Sequence, residues 1–255
     1  MLHRFTLIAA SLLICVHFVR GEVPRYLLPV GKVLTYNGES HEIDPSPGAM
    51  QMSSTMSWRL TVVGENPDGS KRVIAKATSS FRQGDRPASE RTTIGYCDIF
   101  PDGRIPPNPT IGPTMSIAPL LPKLPASDDE LKSGWTSPGV AGAVTKYAFT
   151  SDREGVFTFT ADEQGPMNRI YVTTSGQTFS FDRAKGLITR SDLKTSQDYG
   201  FHTKGTGSLT LKSEETIEPA KAQALRKEYD NYFAALDAYR TIMRDISKDP
   251  GQVEK

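Results

Sequence analysis

From Met50 to Val62 the chain alternates apolar and polar residues almost without a break, and no other pattern in it limits the fold so tightly. Met50, Met52, Met56, Trp58, Leu60 and Val62 share one parity, with Ser54 as the interruption. Gln51, Ser53, Thr55, Ser57, Arg59 and Thr61 share the other. Successive side chains of a strand point to opposite faces, so this period predicts a long strand with one buried face. Thioether sulfurs favour copper(I), and three methionines on one face raise that chemistry. No His or Cys is interleaved with them, so the expectation is core packing beside Trp58.

Turn signals then organise the neighbours of that strand. Asn66-Pro-Asp-Gly69 joins it to Ser70–Thr78 as a hairpin, and Arg91–Phe100 ends in Pro101-Asp-Gly103. Strands separated by such turns predict an antiparallel meander. Between Arg104 and Pro125 stand seven prolines, and Pro119, Pro122 and Pro125 recur every third residue. That spacing suits a polyproline II strap. Its Ile117, Leu120, Leu121 and Leu124 are expected to cover a core opening or sheet edge; a PxxP ligand is the competing reading. After Trp135 and a Gly-rich loop, alternation resumes at Tyr147/Phe149, Phe157/Phe159, Ile170/Val172 and Phe179/Phe181. Phe181–Leu187 reads as a hairpin loop with Gly186 at positive φ. Ile188–Asp198 and Leu209–Leu211 read as the last strands, and Lys204-Gly-Thr-Gly-Ser208 as a turn with a bulge. The two halves, 23–103 and 140–217, are both meanders, joined by the strap at about 104–139.

The end of this region differs. From Pro219 to about Ile246 there is no glycine and no second proline. Leu225, Tyr229, Tyr232, Leu236, Tyr239, Met243 and Ile246 fall at alternating spacings of four and three, the a and d positions of three heptads. The expected fold class is therefore mainly β: antiparallel meander sheets, or an open barrel or sandwich, over 22–217. One long amphipathic helix follows at 218–247, and a tail at 248–255. Tyrosine at three of seven seam positions favours a helix lying on its own sheet over one that seeks a partner helix.

Residues 1–21 carry Arg4, an apolar run from Thr6 to Val19, and small residues Val19 and Gly21 at the −3 and −1 positions of a cleavage site. The run is shorter than the roughly 20 residues that span a bilayer. A cleaved secretory signal is expected, with the cut between Gly21 and Glu22 and the product secreted or periplasmic. No later segment has the length and apolarity to cross a membrane. Without Arg4 and Arg20 the chain has 28 basic against 29 acidic residues, which gives no electrostatic reason to bind nucleic acid.

Little in the sequence points to catalysis. Cys97, the one cysteine after the signal, lies in a strand-like run beside Asp98 and is expected to be a buried, inert thiol. His41 and His202 have no metal-ligand partner at the usual spacings. Ser191-Asp-Leu-Lys194 matches S-x-x-K, but on a strand Ser191 and Lys194 point to opposite faces. Cys97, Asp198 and His202 form a triad only on paper. No catalytic residue, cofactor or metal site is assigned, and the chain is expected not to be an enzyme. The expected partner is a protein or an apolar ligand held between sheet and helix.

Several segments carry a family resemblance. Leu28–Tyr36, Asn66–Ser70, Asp98–Ile105, Phe181–Leu187, Lys204–Ser208 and the tyrosine-rich helix resemble the β-rich N-terminal region of some exported bacterial thioredoxin-like (redoxin) proteins. In that family the redox chemistry belongs to a following C-x-x-C domain, and this sequence contains no C-x-x-C. The resemblance therefore implies an accessory module of a thiol-disulfide oxidoreductase, with no catalytic residue of its own.

Overall fold

The computed structural model describes residues 23–43, 51–106, 117, 119–138, 144–164, 172–198 and 202–248. The expected cleavage site at Gly21 and Glu22, Met50 and the tail from residue 249 lie outside them. Ten strands and two helices follow in the order β1 (Lys32–Ile43), β2 (Met52–Glu65), β3 (Lys71–Gln83), β4 (Ser89–Ile99), α1 (Asp128–Ser133), β5 (Trp135–Pro138), β6 (Val144–Arg153), β7 (Val156–Gln164), β8 (Val172–Asp182), β9 (Leu187–Asp198), β10 (His202–Thr216) and α2 (Pro219–Lys248).

All ten strands form one antiparallel sheet in the order β4-β3-β2-β1-β10-β9-β8-β7-β6-β5. The two expected meanders are thus halves of a single sheet, joined where β1 pairs with β10 from Lys32 opposite Thr216 to Ile43 opposite Lys204. The alternation of the long strand appears as expected. Trp58, Leu60 and Val62 are buried, and Met56 packs against them. The Asn66-Pro-Asp-Gly turn closes with a Gly69 N–H bond to the Asn66 carbonyl, and the Asp68 carboxylate accepts from both the backbone N–H and the hydroxyl of Ser70. Gly186 has φ 62° as expected. A Cβ there would come within 2.4 Å of Leu27 Cγ, so both the backbone angle and the neighbour select glycine.

One face of the sheet carries the main core. Tyr36, Trp58, Val73, Cys97, Phe157, Phe159, Phe179, Phe181 and Ile188, drawn from both halves, belong to a single buried cluster. The same cluster contains Tyr26, Leu28, Ile117, Leu120, Leu121 and Leu124, so the N-terminal segment and the strap fill the space against this face. The strap is anchored by backbone acceptors. Arg25 donates to the carbonyls of Pro125 (2.7 Å) and Ala126 (2.9 Å), and the buried Tyr26 hydroxyl donates to that of Pro122 (2.8 Å). The Leu124 N–H donates to the Asp102 carbonyl and the Trp135 indole to that of Lys123.

Three sequence expectations need correction. The strap is not extended throughout, because the N–H groups of Leu120 and Leu121 both return to the Ile117 carbonyl and form a turn that buries both leucines. The 104–139 region also holds α1 and β5. The signal for α1 is Ser127-Asp-Asp-Glu130: Ser127 Oγ accepts from the Glu130 N–H and the Glu130 carboxylate from the Ala126 N–H. Lys204–Ser208 makes no turn and runs straight through β10. Gly205 and Gly207 serve close packing instead, since a Cβ would lie 2.4 Å from Thr195 Oγ1 at the first and 3.1 Å from the Glu39 carbonyl oxygen at the second.

Candidate interaction surface

The residues weighed for chemistry stay apart or stay buried. Cys97 is 1% exposed on the core face of β4, and burial pushes its thiol up to about 12. Ser191 is buried on β9 and accepts from Gln177 Nε2 at 3.0 Å, while Lys194 is exposed. His202 sits opposite Asp198 in backbone register, but Cys97 lies on β4, with β3, β2 and β1 between it and β10. His41 is exposed and pairs in register with Thr206. Among the described residues no three His, Cys, Asp or Glu side chains gather as a metal site, and no helix is long and apolar enough to cross a membrane.

The helix packs on the sheet, but not against the main core. It lies on the opposite face. Val63, Ile74 and Tyr96 point away from the main core and pack with Phe233, and Leu225, Tyr229 and Leu236 close around them. Polar bonds fix the same half of α2. Arg226 donates to Asn66 Oδ1 (2.9 Å) and to the Glu65 carbonyl (3.2 Å). Arg72 binds Asp98 through two nitrogens and Asp230 through a third, with its guanidinium 4.8 Å above the Tyr96 ring. The Tyr96 hydroxyl donates to Asp230 at 2.8 Å. Burial is the main reason the Tyr96 phenol is pushed up to about 12, so it remains a donor at neutral pH.

Among the described residues, none of α2 beyond Leu236 joins this apolar cluster. Tyr232 is 57% exposed, Tyr239 59%, Ile242 57% and Met243 46%. The heptad seam therefore divides: Leu225, Tyr229 and Leu236 touch the sheet, while Tyr232, Tyr239 and Met243 face outward. Phe233, absent from the heptad series, takes the buried place beside Tyr96. The half of α2 past Leu236 spans roughly 18 Å at 1.5 Å per residue.

A groove of about 560 Å³ on the solvent face of β10, β1, β2 and β3 is lined by Thr210, Asn37, Ser57 and Thr78, with Glu39 and Glu90 beside them. It has the hydroxyl-rich character of a solvated strand face and no aromatic wall.

No family model matches the chain, and no curated protein does. One solved structure, described as lipid-protein interactions in lipovitellin, is similar over 75% of this chain and 26% of that one, with 12% identity and a TM-score of 0.49. At that identity and score the likeness says nothing about what this chain binds.

Proposed function

We propose that this chain is an exported, non-enzymatic docking module. Its ten-stranded sheet is the base, and the outer half of α2 is what it presents to a protein partner. The observation that carries this reading is the run of Tyr232, Tyr239, Ile242 and Met243, each about half exposed on a helix whose other half is firmly held. Contiguous apolar surface of this kind on a soluble domain marks an interaction site more often than chance. Full burial of an exposed side chain of this size is worth about 1.5–3 kcal/mol, and each of these is already about half covered, so a partner gains roughly half of that at each. An apolar ligand is the weaker reading, because Leu120, Leu121 and Leu124 already occupy the apolar face of the sheet. The redoxin resemblance adds one candidate partner class, a thiol-disulfide oxidoreductase.

The test is site-specific photo-crosslinking. A photoreactive amino acid at position 239 of the full chain, expressed in the organism that makes it, is expected to give discrete adducts with polypeptide. The same group on the solvent face of β3, at position 78, is expected to give none. Absence of a protein adduct at 239 overturns the reading. Export is checked separately by N-terminal sequencing, which is expected to begin near Glu22.

A further inference from the structure

We infer that α2 is a releasable cover. It lifts from the sheet as a unit about Glu218 and bares Val63, Ile74 and Tyr96 while the ten strands stay folded. The inference goes beyond the docking reading and does not depend on it.

The first support is the division of the apolar contacts. The main core draws on both halves of the sheet, the N-terminal segment and the strap, but contains no residue of α2. Beneath the helix lies a separate cluster of four buried side chains, Val63, Ile74, Tyr96 and Phe233, with Leu225, Tyr229 and Leu236 at its margin. Among the described residues of α2 only Ala222 and Phe233 are buried. A segment joined to the rest by few buried apolar contacts opens at lower free energy than the whole fold. Lifting the strap would pull Leu120, Leu121 and Leu124 out of the main core, whereas lifting α2 disturbs none of it.

The second support is how the charges divide. Asp230 is the acidic tie from helix to sheet: it accepts from Arg72 Nη1 at 3.1 Å and from the Tyr96 hydroxyl at 2.8 Å. Its side chain is 45% exposed, so water replaces those bonds readily. Arg72 does not need it. Without α2 the guanidinium keeps both bonds to Asp98, and Asp98 keeps its bond from Asn66 Nδ2 at 2.7 Å. Release therefore leaves no buried charge without a partner, which is the outcome that would make it costly.

The third support is the joint. β10 ends at Thr216 and α2 begins at Pro219. The Ile217 N–H donates to the Gly31 carbonyl at 2.9 Å, which pins the chain to the sheet at that point. Glu218 is exposed, and Pro219 has no N–H with which to tie the first turn to the strands. The chain is thus fixed on one side of Glu218 and free to swing on the other.

Hydrogen exchange of the full chain at neutral pH, read by mass spectrometry, tests the release. A helix off its surface is marginal in water, so its amides lose protection when it lifts. Residues 222–236 are expected to exchange together, at least about tenfold faster than β1 and β9. Exchange of 222–236 no faster than that of β1 and β9 overturns the inference. Fraying within the helix would not bare the sheet, so a thiol placed beneath it gives the second reading. In Ile74→Cys, iodoacetamide is expected to modify position 74 in native buffer while Cys97, in the main core, stays protected. Adding Asp230→Asn is expected to raise the rate at position 74 about two- to fivefold and to leave Cys97 unchanged. Modification of both positions at one rate shows that the helix leaves only when the sheet unfolds, and overturns the inference.

Discussion

Tyr96 and Phe233 stack face to face, with ring centroids 5.4 Å apart and planes 1° from parallel. Tyr96 belongs to β4 near one edge of the sheet and Phe233 to the middle of α2, so this pair is where the helix is held. Tyr229 and Tyr232 add ring contacts at 6.0 Å to Tyr96 and 5.1 Å to Phe233.

Truncation at this stack is expected to separate the two halves of α2. Phe233→Ala removes a ring that is 6% exposed and should cost about 3–5 kcal/mol. Met243→Ala, on the exposed half, should change monomer stability by less than about 0.5 kcal/mol. Urea unfolding followed by circular dichroism at low protein concentration measures both. Equal effects would show that the outer half is also packed on its own domain.

The strap is expected to be as necessary as any strand. Leu121 is 1% exposed among residues from both halves of the sheet, and Leu121→Ala should cost about 2–5 kcal/mol. Tyr26→Phe leaves the Pro122 carbonyl without its donor at 2.8 Å and should cost about 1–3 kcal/mol. Thermal melts report both. A strap that opens freely to admit a ligand would show neither loss.

Cys97 is expected to resist thiol reagents in the folded protein. Its thiol is pushed up to about 12, first by burial and then by the neighbouring Asp98 charge, so thiolate is scarce at pH 8. Labelling with iodoacetamide should be slow in buffer and complete in denaturant, and Cys97→Ser should not create or abolish any disulfide-reductase activity. Rapid labelling of native protein would contradict the packing of β4.

One surface ion cluster should give a small acid dependence. Glu214 lies 2.7 Å from Lys185 Nζ and 3.3 Å from Lys32 Nζ, and its carboxyl is held below the ordinary value chiefly by the Lys185 hydrogen bond. A carboxyl with a lowered folded pKa stabilises the fold above its unfolded value, about 4.3. That contribution fades as pH falls through the lower folded value. Glu214→Gln should therefore lower stability slightly at pH 7 and make no difference near pH 2. Denaturation midpoints at the two pH values provide the check.

Much of the sheet was legible in the sequence because its causes are local. Alternation across Met52–Val62 needs only the pleat, the Asn66-Pro-Asp-Gly turn needs only its own four residues, and the Pro219 helix start needs only a proline where no N–H bond is required. The burial of Ile117, Leu120, Leu121 and Leu124 was legible for a similar reason, since four large apolar residues among prolines have to be covered. The reading that laid the helix on its own sheet describes it as far as Leu236.

What the sequence determined by itself, then, was most of the strands, the turns at Asn66–Gly69 and Pro101–Gly103 and the existence of an apolar helix stripe. The tertiary structure decided which residues of that stripe are used and against what. A heptad stripe drifts by about 20° per heptad around a straight helix of 3.6 residues per turn. A series that begins on the sheet at Leu225 therefore rotates away from it, Phe233 turns in where Tyr232 turns out, and Tyr239 and Met243 face water. The remaining cause is length. The 30-residue α2 extends roughly 45 Å, and the buried contacts of Val63, Ile74 and Tyr96 support only its first half. Where a helix outruns the sheet beneath it depends on how ten strands pair across the chain, and no local pattern of residues carries that information.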